Sequence, residues 1–161
     1  MKKLLINPLS RLGFSMIELL IVISIIGVIA TISTVGFNFQ ESPLVFKSNV
    51  SEVANFLSAV RSKSISQVKP DICAGYPLDG YQVAVTSGGR DYQSQVICGG
   101  VHVVAQKSLP SGFSFAAGSA ITVKFDVATG TVSNPGSILV SGQGRTSTIT
   151  IDKLGNISVR P

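Results

Sequence analysis

The sequence contains few of the residues that build metal centres. Among its 161 residues there is one histidine, His102, and there are two cysteines, Cys73 and Cys98. No further histidine or cysteine accompanies them at the spacing that metal-binding motifs use. His102 lies between two valines in a predicted strand, a pattern typical of a half-exposed position with a structural or surface role. The sequence therefore predicts no metal site.

Local motifs for catalysis are also missing. No serine occupies the Gly-x-Ser-x-Gly turn of a nucleophile elbow, and Gly142-Gln143-Gly144 lacks the lysine and the spacing of a phosphate-binding loop. Scattered acids, which are more typical of turns than of a calcium site, stand at Asp71, Asp79 and Asp91. We therefore expect neither an enzyme nor a bound cofactor.

Charged residues are few and the positive excess is small. The chain has 13 lysines and arginines against 8 acidic residues, a formal net charge of +5. Because Lys2, Lys3 and Arg11 stand in the first 13 residues, residues 14–161 carry 10 cations (13 − 3) and 8 acids, a net of +2. A large basic field is absent from that part of the sequence, so nucleic acid is not favoured as a partner.

The longest apolar run lacks charge altogether. No charged residue occurs from Leu19 to Phe39, a stretch of 21 positions (39 − 18). As a helix it would extend roughly 30 Å and cross a bilayer, whereas a cleaved secretory signal has an apolar region of about 7–15 residues. The three preceding cations predict a cytoplasmic N-terminus and an exported C-terminal part. We expect a leader peptide over 1–13 and a transmembrane helix over 14–39, with a plain signal anchor as the alternative.

One acidic residue, Glu18, stands just before this run. A carboxylate in a membrane span costs about 2.5–3.5 kcal/mol on insertion scales, so it indicates a function. Together Gly13, Phe14, Glu18 and the apolar run resemble the type IV pilin-like family, which comprises pilins and the pseudopilins of type II secretion. The resemblance implies that a prepilin peptidase cuts after Gly13 and methylates the new amine of Phe14. Glu18 would then be the fifth residue of the mature chain (18 − 13), where the family carries its glutamate.

The spacing of Phe14 and Glu18 has a physical meaning. Residues four apart lie on one helix face. The cationic amine of Phe14 would be unfavourable at the positive end of its own helix, and the Glu18 carboxylate of a neighbouring subunit can neutralise it. The resemblance implies this pairing during assembly. A pair closed within one helix is the alternative.

The resemblance also implies partners and a location. The partners are the prepilin peptidase, other pilin or pseudopilin subunits, the inner-membrane assembly platform and, before assembly, membrane lipid. The precursor would cross the cytoplasmic (inner) membrane once, with its N-terminus in the cytoplasm and its C-terminal domain exported. The mature chain would then join an extracytoplasmic pilus or pseudopilus.

An amphipathic helix is predicted over about 43–68. Its buried face recurs at intervals of 4, 3, 4, 3 and 4, at Phe46, Val50, Val53, Leu57, Val60 and Ser64. This stripe suits packing on a sheet, and three periods are too few to favour a coiled coil. Gly36 and Pro43 predict an interruption or kink, with Ser42 capping a restarted helix. Pro70 predicts the stop.

Beyond residue 76 the pattern changes to short strands and turns. The expected strands cover 81–86, 92–98, 101–105, 121–127, 137–140, 148–151 and 156–159, with turns at 87–90, 128–130 and 152–155. The predicted fold class is α+β. A long N-terminal α-helix, made of the membrane span and the amphipathic half, packs on a small antiparallel β-sheet domain, as in pilins. The globular domain is expected over 40–161, with its β-rich part over 76–161.

The two cysteines allow a disulfide. If the C-terminal part is exported, a Cys73–Cys98 bond is permitted. It would contribute on the order of 3 kcal/mol in the chain-entropy model. A pair of free thiols is the alternative.

The C-terminal part carries a second resemblance. Two segments, Phe125-Asp-Val-Ala-Thr-Gly130-Thr-Val and Thr148-Ile-Thr-Ile-Asp-Lys-Leu-Gly155-Asn-Ile-Ser-Val159, resemble the pattern of the H-type minor pseudopilins of type II secretion and of related minor pilins. Some of those minor pilins bind DNA through a basic C-terminal tail, whereas residues 155–160 here hold Arg160 as their only cation.

The expected function is therefore that of a structural subunit of a type IV pilus or type II secretion pseudopilus. Within that class, the C-terminal pattern favours a minor pseudopilin involved in protein secretion. The alternatives are a minor pilin at a fibre tip that binds DNA or surfaces, a major pilin, and a signal-anchored protein that never assembles.

Overall fold

The computed structural model describes residues 15–119 and 122–161, and of residues 29–42 it describes the backbone only. Contacts within the chain divide it into two compact units, Met1–Glu41 and Ser42–Pro161. The described part of the first unit is helical. The second unit contains the remainder of the same helix and the eight strands of the described residues.

The helix α1 extends over Met16–Ile65, 50 residues, and Pro43 lies inside it. The predicted interruption near 36–43 is therefore wrong, while the alternative of a kink there stays a prediction. A proline within a helix removes its own N–H and crowds the carbonyl one turn earlier, at a cost of about 3 kcal/mol. The residues on either side keep their own donors, so one proline does not end the helix. The side chain of Ser42, the predicted cap, lies outside the described residues.

The helix ends three residues before the predicted boundary at 68. Gln67 adopts a left-handed conformation with φ 52°. Its N–H donates to the carbonyl of Ser64 at 3.2 Å, and the N–H of Val68 donates to the carbonyl of Lys63 at 3.1 Å. This pair of bonds is a Schellman motif, which satisfies the last carbonyls of a helix and turns the chain away. The motif ends the helix before Pro70 is reached.

The second unit continues with a short 3-10 helix, Asp71–Cys73, and eight strands. The strands are β1 Gly80–Val85, β2 Asp91–Ile97, β3 Val101–Ser108, β4 Phe113–Phe115, β5 Thr122–Asp126, β6 Gly136–Gly142, β7 Arg145–Ile151 and β8 Ile157–Arg160. Seven of them correspond to predicted strands, and their observed ends differ from the predicted ends by at most three residues. β4 was beyond the reach of the pattern, because three residues are too few to reveal an alternation.

The strands form two sheets, whereas the sequence predicts one. The first sheet has the order β3-β2-β1-β5 and the second has the order β4-β6-β7-β8. Every pairing is antiparallel. Four pairings join strands that follow each other in sequence: β1–β2, β2–β3, β6–β7 and β7–β8. The other two bring β5 beside β1 and β4 beside β6. Alternation identifies the buried face of each strand; it carries no information about which distant strand becomes the neighbour.

The predicted apolar stripe of the helix forms the core with both sheets. Its six residues are all buried: Phe46, Val50, Val53, Leu57, Val60 and Ser64. The ring of Phe56 lies edge-on to Tyr92 of β2 with centroids 5.0 Å apart. The ring of Phe46 stacks on Phe113 of β4 at 6.1 Å. Since full burial of one such side chain contributes about 1.5–3 kcal/mol, this face holds the second unit together.

The scattered acids occupy different positions. Asp71 begins the 3-10 helix, and Asp79 directly precedes β1. Asp91 is the first residue of β2, where it accepts a hydrogen bond from the hydroxyl of Ser108. The expectation of a turn position is therefore wrong for Asp91, which lies at a strand end because it pairs across to β3.

Candidate functional site

Glu18 lies in the first turn of α1. The carbonyl of Ser15 accepts hydrogen bonds from the N–H of Glu18 at 3.0 Å and from the N–H of Leu19 at 3.2 Å. Ser15 is therefore the N-cap and Glu18 the third helical residue, which is the Ser-x-x-Glu spacing of a capping box. The spacing is visible in the sequence, and it predicts this helix start. A carboxylate is favoured there because the first turn has unpaired N–H groups.

The described side chains around Glu18 form an apolar surface. All residues from Ser15 to Val28 are exposed. The large apolar ones are Met16, Ile17, Leu19, Leu20, Ile21, Val22, Ile23, Ile25, Ile26 and Val28. Apolar surface of this extent on a helix is covered by lipid or by other chains. A covering partner must then supply a cation or a hydrogen-bond donor to the Glu18 carboxylate, because an unpaired charge in an apolar environment is costly.

The processing site itself, Gly13 and Phe14, lies outside the described residues. Within residues 15–119 and 122–161, no helix presents an apolar stretch long enough to cross a membrane. The predicted span over 14–39 also includes residue 14 and residues 29–39, whose side chains lie outside the described residues.

At the other end of α1, Ser64 joins the helix to the turn after β5. Its side chain is fully buried, and its hydroxyl donates to the carbonyl of Phe125 at 2.9 Å. The N–H of Ala128 donates in return to the carbonyl of Ser64 at 3.2 Å. A polar residue within the apolar stripe is thus satisfied by the strand it faces. The stripe in the sequence contained Ser64 but could not indicate its partner.

One helical turn earlier, Arg61 contacts the turn between β7 and β8. Its guanidinium donates to the carbonyl of Leu154 at 2.9 Å. Gly155 lies close to both Gly130 and Arg61. A Cβ added at Gly155 would stand 2.2 Å from the carbonyl oxygen of Gly130 and 3.3 Å from Arg61 Cδ. The N–H of Val132 also donates to the carbonyl of Lys153 at 2.9 Å. The two segments of the C-terminal pattern, 125–132 and 148–159, are therefore in contact with each other and with the helix.

The turn between β7 and β8 is closed by Asp152 and Asn156. The Asp152 carboxylate accepts bonds from the Asn156 backbone N–H at 2.8 Å and from its side-chain amide at 2.9 Å. Because these bonds stabilise the charged form, they hold the pKa of Asp152 below its usual value, with a smaller contribution from the positive charge of Arg61. β7 and β8 pair antiparallel on either side of this turn, which confirms the turn predicted at 152–155 between two strands.

Cys73 and Cys98 are joined by a disulfide with Cα atoms 5.5 Å apart. Both residues are buried. The bond ties the 3-10 helix after α1 to the end of β2, at a Cα separation usual for disulfides.

Tyr92, Glu52 and Lys107 form a second contact between the helix and the first sheet. Glu52 pairs with Lys107 of β3 at 2.7 Å, and both side chains are about half exposed. Burial, and next the nearby Glu52 carboxylate, raise the pKa of Tyr92 to about 12. Exposed ion pairs contribute little to stability, so the buried tyrosine ring is the stronger part of this contact.

Four cations bear on the hypothesis of a nucleic-acid surface, and they are distributed over both sheets. Lys107 and Lys124 belong to β3 and β5, the two edges of the first sheet, while Arg145 and Arg160 belong to β7 and β8 of the second. Lys107 is paired with Glu52, and Lys124 lies 4.0 Å from Asp126. The four side chains do not form one cluster.

His102 and the acids offer no metal-binding arrangement. His102 is half-buried on β3, between the exposed Val101 and Val103. In the part of the chain that the structure describes, no group of three or more histidine, cysteine, aspartate and glutamate side chains is placed to hold a metal ion.

A groove that the sequence does not reveal runs between the start of the helix in the second unit and strands β7 and β8. It has a volume of about 750 Å³, with Phe46, Val50 and Val159 among its apolar lining residues. Lys47 and Arg145 also line it, and its lining residues in the described part of the chain include no aspartate or glutamate. Lys47 and Arg145 are 98 positions apart (145 − 47), so only the folded chain brings them to one groove.

Comparison with known proteins gives one match. The family model described as the prokaryotic N-terminal methylation motif matches residues 9–34, a segment that includes Gly13, Phe14 and Glu18. The match supports a type IV pilin-like family, and it indicates a prepilin-type precursor of a type IV pilin or pseudopilin. No curated protein and no solved structure matches the chain significantly.

Proposed function

We propose that this chain is a structural, non-enzymatic subunit of a type IV pilus or a type II secretion pseudopilus. It is made as a membrane-anchored prepilin, cleaved after Gly13 by the prepilin peptidase and N-methylated on Phe14. The observation that carries this proposal is the methylation motif over 9–34, with Glu18 placed in the first turn of an exposed apolar helix.

Assembly follows from the chemistry of that helix. Apolar helices that leave lipid for a fibre keep their apolar surroundings, so the Glu18 carboxylate needs a partner of opposite charge in both states. The methylated amine of Phe14 on an adjacent subunit supplies that charge. The pairing makes each added subunit depend on the one before it, since an unpaired charge would otherwise be buried in the fibre core.

Within this class we favour a minor pseudopilin of protein secretion. The support is the C-terminal pattern, whose two segments contact each other through Val132 and Lys153 and contact the helix through Arg61. The alternative of a fibre-tip subunit that binds DNA receives no support from charge, because Lys107, Lys124, Arg145 and Arg160 are spread over both sheets.

The proposal is tested by quantitative mass spectrometry of fibres sheared from native cells. We expect a peptide that begins at methylated Phe14, present in small amounts beside another, more abundant pilin. If this peptide dominates the fibres, the chain is the bulk subunit and the minor role is wrong. If only uncut peptides containing Met1 are found, and only in membranes, the pilin assignment fails.

A matched pair of variants tests the cleavage site. Gly13→Phe places a bulky residue before the scissile bond, and we expect the uncut precursor to accumulate. Gly27→Ala adds one methyl group where nothing lies within 4 Å of the new Cβ, and processing should be unchanged. Normal processing of Gly13→Phe would contradict cleavage after Gly13.

A further inference from the structure

We propose that the groove lined by Lys47 and Arg145 binds the headgroup of an anionic phospholipid at the outer face of the membrane before assembly. The inference rests on the proposed function only for the presence of a membrane anchor. It adds a specific site and a specific lipid class to a chain whose contact with lipid would otherwise be confined to its apolar helix.

The chemistry of the groove defines the ligand. Lys47 and Arg145 bring two cations to its wall, and Phe46, Val50 and Val159 supply apolar surface. Among the residues whose side chains the structure describes, no aspartate or glutamate lines it. A cavity with two cations and an apolar floor is complementary to a molecule that joins a phosphate to acyl chains. Arginine in particular binds phosphate through two parallel hydrogen bonds.

The position of the groove in the chain selects a membrane lipid over a soluble anion. Pro43, which lines the groove, follows the last residue of the charge-free run, Phe39, by four residues (43 − 39). Four residues extend at most about 14 Å. An anchor in the run 19–39 would therefore keep the groove within reach of the headgroup layer.

The residues at the start of the second unit are those of an interfacial segment. Leu44 is 64% and Val45 is 42% exposed, next to Lys47. Exposed apolar side chains beside lysine and arginine are typical of segments that lie in the boundary between headgroups and acyl chains. Long cationic side chains there extend their charge to the phosphates while their stems stay on apolar surface.

The expected effect is a selectivity between lipids. Each lysine or arginine close to an anionic surface strengthens binding about fivefold, so two of them contribute roughly 25-fold. An anionic lipid should therefore bind the full chain about 25-fold more tightly than a zwitterionic lipid with the same acyl chains. The apolar helix contributes equally to both and cancels in the ratio.

The test is native mass spectrometry of the full-length chain in detergent, titrated with phosphatidylglycerol or phosphatidylcholine of identical acyl composition. The wild type should prefer phosphatidylglycerol, and the pair Lys47→Gln with Arg145→Gln should bind both lipids equally. Lys63→Gln with Lys153→Gln is the control, because it removes the same charge near the C-terminal end of the helix, away from the groove. The charge-conserving pair Lys47→Arg with Arg145→Lys should retain most of the preference.

Four outcomes overturn the proposal. The first is that the wild type shows no preference between the lipids. The second is that the control pair loses the preference as fully as the groove pair. The third is that millimolar glycerol 3-phosphate displaces the lipid, which would make the groove a site for a soluble anion. The fourth is that the double variant Lys47→Gln with Arg145→Gln loses fibre incorporation while its lipid selectivity is unchanged, which would assign the groove to a second subunit. Processing after Gly13 is measured in the same cells, so failure of the pilin assignment is distinguished from failure at the groove.

Discussion

The hydroxyl of Ser64 donates a hydrogen bond of 2.9 Å to the carbonyl of Phe125, across 61 positions of sequence. The bond is fully buried and lies where the apolar face of the helix meets the last strand of the first sheet. It fixes one point of contact between the helix and β5, because separating the two groups would leave a buried polar atom without a partner. The turn after β5 is held by the same residue through Ala128.

Ser64→Ala should therefore lower the free energy of unfolding by about 1–3 kcal/mol, since it leaves a buried carbonyl without its donor. Ser58→Ala is the matched control. Ser58 lies on the same helix, is exposed and donates to the carbonyl of Ala54 at 2.9 Å, so removal of its hydroxyl should change stability by less than about 0.5 kcal/mol. Urea denaturation followed by circular dichroism measures both. Equal effects would show that the Phe125 contact contributes nothing specific.

Comparing alanine variants of Gly155 and Gly144 distinguishes the effect of steric crowding from that of backbone strain. Both have positive φ, 76° and 71°, so alanine at either position costs about 1–2 kcal/mol in conformation. At Gly155 a Cβ would also stand 2.2 Å from a carbonyl oxygen, while at Gly144 nothing lies within 4 Å. Gly155→Ala should be more destabilising than Gly144→Ala by a further 1–3 kcal/mol or so. Equal denaturation midpoints would contradict the close approach of the β7–β8 turn to Gly130 and Arg61.

The raised pKa of Tyr92 implies that the folded protein loses stability at high pH. Its pKa is raised to about 12 by burial and by Glu52, above the unfolded value of about 10. The folded state therefore holds the proton more tightly, so this contribution is complete below pH 10 and disappears as the pH rises towards 12. Tyr92→Phe should be less sensitive to pH than the wild type over that range. Urea denaturation of both proteins at each pH measures the free energy of unfolding. If that free energy changes with pH equally in the two proteins, the assignment to Tyr92 is refuted.

The disulfide between Cys73 and Cys98 should stabilise the second unit. The bridged residues are 25 positions apart, and the chain-entropy model gives about 3–4 kcal/mol for a loop of that length. Cys73→Ser with Cys98→Ser should lose that amount relative to the oxidised wild type. Adding a reductant should lower the wild type to the same level and leave the variant unchanged. A wild type insensitive to reductant would indicate free thiols.

Glu18→Gln should prevent incorporation into fibres while leaving cleavage after Gly13 normal. Removing one member of a buried charge pair costs about 3–5 kcal/mol, so incorporation should fall roughly 100-fold or more. Asp71→Asn neutralises an exposed acid in the second unit and should incorporate normally. Immunoblots of sheared fibres and of membranes separate the two steps. Normal incorporation of Glu18→Gln would contradict the charge pairing of Glu18 with the Phe14 amine during assembly.

Features that depend on neighbouring residues were predictable from the sequence. The stripe from Phe46 to Ser64 is confirmed because helical periodicity places those residues on one face whatever they pack against. The strand alternation around Val83 and Val123 is confirmed for the same reason, since successive side chains of a strand point to opposite sides. The methylation motif around Gly13 and Glu18 is equally local, and the family match covers the same residues.

Features that depend on distant residues required the folded chain. The partner of Ser64 and the convergence of Lys47 and Arg145 on one groove each join residues more than 60 positions apart. The division into two sheets depends on pairings such as Gly80 with Asp126, 46 positions apart (126 − 80). The end of the helix differs from its prediction because Gln67 entered the left-handed region to form a Schellman motif, which a proline three residues later does not reveal. Periodicity encodes which side of an element is apolar. The choice among possible neighbours is made by shape and by satisfied hydrogen bonds in the common core, and no single segment contains that information.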